Sequence, residues 1–285
     1  MTTIPTARRV NISPSVGRYL RAFHTLRGAV SAIVIVLLIV LSFLAPVLYP
    51  DGFDVQGPDA LLPMSGGHLF GTDELGRDIF VRTLYGLRTD FQLIFFAVPI
   101  SMVIGTLLGL IGAVWAWAGS FVQRVMDIII GFPGIILAIS VVVVFGPGWL
   151  SLMVSVVVIG LPGFARLARS ALLAQQHREY VLAARTLGVG RWKVLVRHIV
   201  PNAMDPLIVH AAVFLVHAIF IEAGLSLIGL GIQPPEPSLG ALLNLGMRYV
   251  HQSPTYVLGP TLVLLVLAFA FSLLADALNE TVTRK

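Results

Sequence analysis

Residues 128–165 read IIIGFPGIILAISVVVVFGPGWLSLMVSVVVIGLPGFA, an unbroken run without Asp, Glu, Lys or Arg. As one helix the run would be about 57 Å long at 1.5 Å per residue. That is nearly twice the ~30 Å hydrocarbon core of a bilayer. Gly146-Pro147-Gly148 stands near its middle, and such a triplet breaks helices. The stretch therefore predicts two membrane crossings, over residues 123–145 and 149–166. Lipid offers no partner to an unpaired backbone group, so the crossings must be helices rather than open strands.

The same reading extends outward. Charge-free or nearly charge-free runs predict one crossing each over residues 28–50, 91–115, 206–230 and 256–275, with Glu222 inside the fifth. The fold class is all-α: a polytopic membrane protein with six transmembrane helices and both termini on one side. Composition agrees. The 285 residues are 57% hydrophobic and 12% charged, against roughly 45–50% and 25% in soluble domains. The chain has no cysteine, which excludes disulfide frameworks, thiolate metal sites and cysteine nucleophiles. The apolar run at 28–50 exceeds the ~7–15 residues of a signal-peptide core and is expected to remain as the first crossing.

Of the 19 lysines and arginines, all but Arg77, Arg82, Arg88 and Arg248 fall on the side of the termini. Basic residues accumulate on the cytoplasmic side, so both termini are expected in the cytoplasm. The excess of positive charge is thus a topology signal, and no nucleic-acid partner is expected. The chain divides into a cytoplasmic tail (1–27), a first crossing with an external segment (28–90), a five-helix core (91–279) with a large inner loop at about 166–205, and a short tail (280–285).

The first outer loop, 51–90, holds half of the 14 acidic residues. Its second half predicts an amphipathic helix at the outer interface, with Thr72 as N-cap, Asp73 and Glu74 in the first turn, then Gly76, Arg77 and Asp78. Asp73–Arg77 and Asp78–Arg82 have i,i+4 spacing. The inner loop predicts two short helices. The first covers 179–187 and stops at Gly188. In the second, Trp192, Leu195, Val196 and Ile199 share a face and Pro201 ends it. Together they form a cytoplasmic protrusion that either covers helix ends or docks a partner. Outer residues 231–240, GIQPPEPSLG, read as a rigid connector.

Among ionisable residues within the crossings, Asp127 reads as pairing with Arg124. His210 and His217, two turns apart, share a face, and Glu222 follows. Packing between helices and lining of a path are both open for the two histidines, and metal ligation is disfavoured, because two turns is roughly 10 Å; Glu222 either sits on the path at an outer gate or braces the proline-rich loop that follows. Neither Lys193 nor Lys285 follows the glycines of a phosphate loop. No catalytic residue, metal site or bound cofactor is assigned to the chain.

Five strings in order, FGTDELGRDIF (70–80), FPGIILAI (132–139), EYVLAARTLGVGRWKVLVRHIVPNAMDPLIV (179–209), EAGLSLIGLGIQPPEPSLG (222–240) and LAFAFSLLADAL (267–278), resemble the permease subunits of ABC importers for dipeptides, oligopeptides and nickel, and within them the C-type member of the permease pair. The resemblance implies that the protrusion is a coupling helix resting in a groove of a cytoplasmic ATPase. Ala183, Ala184, Gly188, Ile199 and Pro201 match its motif. Leu182 stands where the family has glutamate, and Glu179, one turn earlier, is a possible substitute. The implied partners are a second homologous permease, two ATP-binding subunits (or a homodimer of one) that hydrolyse ATP with Mg, an extracytoplasmic substrate-binding protein and the bilayer of a bacterial inner membrane. The expected role is half of a translocation path for short peptides. The alternatives are the same role for nickel or a nickel chelate, an ion-coupled secondary transporter acting alone, and a membrane assembly or anchoring protein.

Overall fold

The computed structural model describes Tyr19 and residues 21–283; residues 1–18 and 20 of the tail read over 1–27, and the terminal Arg284 and Lys285, lie outside the described residues. In chain order the helices are α1 (Leu26–Leu48), α2 (Ile79–Val114), α3 (Ala116–Gly131), α4 (Gly134–Phe145) and α5 (Trp149–Gln176). They continue with α6 (Glu179–Thr186), α7 (Arg191–Val194), a π-helical turn (Leu195–Ile199), α8 (Val200–Leu227), α9 (Leu239–Met247) and α10 (Thr255–Thr283). Five stretches are long and apolar enough to cross a membrane: α1, α2, α5, the continuous Arg191–Leu227, and Thr255–Thr281. Helices α3 and α4 qualify together as a sixth, bent by 96°.

Three boundaries differ from the sequence reading. The crossing expected over 123–145 is broken at Phe132-Pro133. Phe132 is extended, at φ −91° and ψ 137°, because a residue before proline is pushed out of the helical region. The crossing expected over 91–115 begins twelve residues earlier, so that α2 carries Arg82, Arg88 and Asp90 inside a membrane-length helix. Pro201 ends nothing: it sits in the first turn of α8, where its missing N–H costs little. The widened turn just before it lets the chain run from the protrusion straight into the fifth crossing.

The core joins α2, α5, α8 and α10 through Phe91, Ile94, Leu152, Phe164, Leu207, Ile219 and Phe271, all buried. Its tightest seam is between α2 and α5. A Cβ on Gly105 would lie 2.6 Å from Phe164 Cβ, and one on Gly109 would lie 2.5 Å from the Ala165 carbonyl oxygen. Only glycine permits that approach. Ser101 adds a cross-helix bond, its hydroxyl donating to the Val157 carbonyl at 3.1 Å.

The segment between α1 and α2 corrects another expectation. Residues 72–78 are not helical. They form a turn closed by a bridge between Thr72 and Asp78, and the helix N-cap is Asp78, whose carboxylate accepts from Val81 N at 3.1 Å. Thr72 is buried and ties two strands of loop together, donating to Asp59 O at 2.5 Å and accepting from Leu62 N at 2.8 Å. Asp73 accepts from the backbone N–H groups of Leu75 and Arg77 at 2.9 Å, and Arg77 Nε donates to it at 2.7 Å. The Asp73–Arg77 spacing was read correctly, but its pair closes a turn. No Asp78–Arg82 ion pair forms; Arg82 lies 3.6 Å from Asp73 and 3.7 Å from Asp54. Burial lowers the basicity of Arg77, and Asp54 and Asp73 more than restore it, so its pKa stands above the ordinary value. Glu74 accepts from the Tyr256 hydroxyl at 3.0 Å, fastening the segment to α10. The segment is a folded cap on the helix ends.

Asp73 is 0% exposed and Asp54 45% exposed at the side chain. Removing one member of a buried pair strands the other charge, at a cost of about 3–5 kcal/mol, whereas an exposed pair is worth about 0–1 kcal/mol. Asp73→Asn is therefore predicted to lower the melting temperature of the detergent-solubilised protein far more than Asp54→Asn; equal shifts would contradict the network. Likewise Gly109→Ala is predicted to destabilise by about 1–3 kcal/mol through overpacking. Gly131→Ala, where nothing lies within 4 Å of the added carbon, serves as the control and should leave the melting temperature near wild type.

A candidate coupling protrusion and translocation cavity

Helices α6 and α7 project from the end of the bundle opposite the cap. Glu179 opens α6 in its first turn, and Arg185 lies in the last, both favourable to the helix dipole. The helix stops in a Schellman arrangement. Val189 N donates to Ala184 O at 3.1 Å and Gly188 N to Arg185 O at 3.0 Å, with Gly188 at φ +76°. A side chain there would be strained in that left-handed conformation, although no atom crowds the position.

The protrusion has two apolar sides. Val181, Val194, Leu195 and Ile199 are buried against Leu172 of α5, with Leu110 and Ala113 of α2 packed around them. Ala184 is half-buried in the same cluster. On the other side Leu182, Leu187, Trp192 and Val196 are exposed, Leu187 at 83%. Ala183 and Pro201 are exposed as well. The shared face read for Trp192, Leu195, Val196 and Ile199 is thus split by the π turn: Leu195 and Ile199 point inward while Trp192 and Val196 point out. Polar bonds hold the base. Tyr180 donates to Gln175 Oε1 at 2.9 Å, and Gln175 Nε2 donates to Asn202 O at 3.3 Å. Sequence reasoning missed Leu187, the most exposed large apolar side chain of the protrusion; its place directly before the stopping glycine was the available signal.

A cavity of about 430 Å³ opens between α4, α5 and α8, lined by Ile135, Gly163, His210, Phe214, His217 and Phe220 among others. His210 and His217 do share a face and meet in it. The His210 ring packs edge-on against Phe164 at 4.7 Å and stacks on Phe214 at 6.3 Å. His217 Nδ1 lies 3.2 Å from the Val213 carbonyl of its own helix. Glu222 does not line the cavity. It is buried on another side of α8 and accepts from Ser226 Oγ at 2.7 Å. Asp127 pairs with Arg166 of α5 rather than with Arg124, because the break after α3 brings its end against α5. Among the described residues no group of three His, Cys, Asp or Glu side chains is placed to hold a metal ion.

Known proteins are similar to this chain in sequence and in fold. Residues 67–284 match the family described as "Binding-protein-dependent transport system inner membrane component". The chain is 33% identical over 258 residues to the dipeptide transport system permease protein DppC of Alkalihalophilus pseudofirmus, spanning 90% of this chain and 85% of that one. It is 35% identical over 295 residues to the glutathione transport system permease protein GsiD of Pectobacterium atrosepticum, spanning 100% and 96%. Its fold resembles a chain of the MetNI methionine ABC transporter in inward facing conformations, with TM-score 0.57 and 21% identity over 71% of this chain and 97% of that chain. The chain therefore belongs to the family of inner membrane components of binding-protein-dependent transport systems, as a multi-pass permease subunit and not the ATPase.

Proposed function

We propose that this chain supplies half of the translocation path of an ATP-driven importer of short peptides, with both termini and the protrusion in the cytoplasm and the cap outside. The observation that carries the reading is the two-sided protrusion: one apolar side is locked into α2, α5 and α8, and the other side, Leu182, Leu187, Trp192 and Val196, is left uncovered. Such a patch on a short, well-anchored helix pair fits a groove in a partner, here a cytoplasmic ATP-binding subunit. Glu179 flanks the patch, and Leu182 extends it where the family motif has a charge. The peptide cargo rests on relatives named for dipeptide and glutathione transport. A second homologous permease would close the cavity beside His210 and His217, and an extracytoplasmic binding protein would deliver cargo above the cap. ATP and Mg belong to the two ATP-binding subunits, whether identical or different.

The mechanism follows from continuity. The chain is helical without interruption from Arg191 to Leu227, and α8 forms one wall of the cavity. Closure of two ATPases on nucleotide would displace the protrusion, and the displacement would pass along α8 as a rigid-body motion that alternates access to the path.

Purification of the tagged chain in mild detergent from its native membrane tests the assembly. A second permease and ATP-binding protein should accompany it, with ATP-dependent peptide uptake after reconstitution with the binding protein. A chain recovered alone and without ATPase activity contradicts the reading. Within that system Gly188→Val, which forces a β-branched residue into a left-handed turn at about 1–3 kcal/mol, should abolish most uptake while membrane insertion is normal. His217→Trp, filling the cavity, should reduce uptake several-fold with assembly intact.

A further inference from the structure

Asp90 and Glu222 are each 1% exposed and flank the same short piece of chain. Asp90, on α2, accepts from the backbone N–H of Leu239 at 3.1 Å. Leu239 is the first residue of α9, whose N-cap Ser238 accepts from Ala241 N at 3.0 Å. One turn before Asp90, a Cβ on Gly86 would stand 3.1 Å from Ser238 Cα. From the other side, a Cβ on Gly240 would stand 2.6 Å from Ser226 Cβ and 2.8 Å from Ala223 Cα, next to Glu222. The two acids thus grip the start of α9 between α2 and α8. Each is half satisfied. Asp90 Oδ2 has the Leu239 amide and Glu222 Oε1 has the Ser226 hydroxyl, while Asp90 Oδ1 and Glu222 Oε2 are buried with no hydrogen-bond partner.

Among the described residues no cation forms an ion pair with either acid. The charged and titratable groups on the elements packed around the pair are engaged or directed elsewhere. Arg82 faces Asp54 and Asp73, at 3.7 and 3.6 Å. The Arg88 guanidinium carbon lies 5.6 Å from the Phe43 ring centroid on α1, and two residues along a helix is about 200° around it from Asp90. His210 and His217 face the cavity, Tyr256 of α10 bonds Glu74, and Glu236 of the connecting loop is exposed. Leu239, which Asp90 holds, is followed directly by Gly240, which abuts the Ser226 that bonds Glu222.

Two carboxylates that grip one turn of chain from either side and lie out of water do not both ionise. A hydrogen on one of them removes a buried charge and supplies the donor that the orphaned oxygens lack. We propose that Asp90 and Glu222 form a proton-binding site that holds a single proton between them, and that this carboxyl pair is the clasp fixing α9 against α2 and α8. The remaining negative charge lies at the N-terminus of α9, where the backbone N–H groups favour it. The two residues are positioning residues for α9 and do not touch cargo; the site stands whatever the cargo is.

Infrared spectroscopy of the chain purified with its partner subunits in lipid nanodiscs at neutral pH tests this. The wild type should show the C=O stretch of a protonated carboxylic acid that shifts in heavy water. Both single isosteres, Asp90→Asn and Glu222→Gln, should remove or shift that band, since each alters the same proton. A spectrum with no such band, a band unchanged in both variants, or one changed in only one of them overturns the shared proton. If a variant is not recovered, wild-type protein carrying carbon-13 in its aspartate or its glutamate side-chain carboxyls decides the matter: the band must move with one of the labels, and a band moved by neither overturns the site.

Discussion

The close seam between α2 and α5 is the constraint on which the other features depend. At Gly105 and Gly109 the two helices approach until no side-chain carbon fits between them. In a bilayer, where apolar side chains gain nothing by leaving lipid, such backbone approach is what makes one helix pair more rigid than its neighbours. The remaining elements are arranged around that pair. Helix α8 packs on α5 through Phe164 and Phe214, with ring centroids 5.6 Å apart. The protrusion stands on Leu110 and Ala113 of α2 and Leu172 of α5. The cap hangs from the other end of α2 by Asp78.

This arrangement gives force a defined route. A partner pressing on Leu187 pushes against a small buried cluster, not a loose loop. Gly188 ends α6 in one fixed turn, and the π-helical turn lets α7 continue into α8 without a hinge at Pro201. The same uninterrupted helical stretch, Arg191–Leu227, carries both the base of the protrusion and His210 and His217. At the far end, Asp90 and Glu222 hold α9 to α2 and α8, so the cavity walls are tied at both ends.

Much of this was legible in the chain. Gaps between charges located the spans, since no unpaired charge is stable in lipid. Gly188 and the short helix it stops were readable from local chemistry alone, whereas the stretch after it runs on past Pro201 into α8. The readings failed where a residue's partner lies far along the sequence. Arg82 and Asp90 read as lying before the second span, yet both lie inside α2, where Arg82 faces Asp54 and Asp73 and Asp90 accepts from the Leu239 amide. The helix expected at Thr72 is absent because Thr72 and Asp73 bond to the loop instead. Asp127 chose Arg166 over its helical neighbour Arg124 because of the break after Phe132, for which Pro133 was the visible signal. Glu222 shares a helix with His210 and His217 but not their face: five residues beyond His217 is about 140° around the helix, so the spacing itself carried the signal.

The most direct test is site-specific cross-linking at the uncovered apolar side. The natural chain has no cysteine, so Leu187→Cys accepts a photoreactive maleimide at one position. In native membranes the account predicts an adduct with an ATP-binding protein from position 187, and none from Val143→Cys, whose wild-type side chain is 78% exposed toward the opposite end of the bundle. Uptake that remains fully ATP-driven while position 187 yields no such adduct would contradict it.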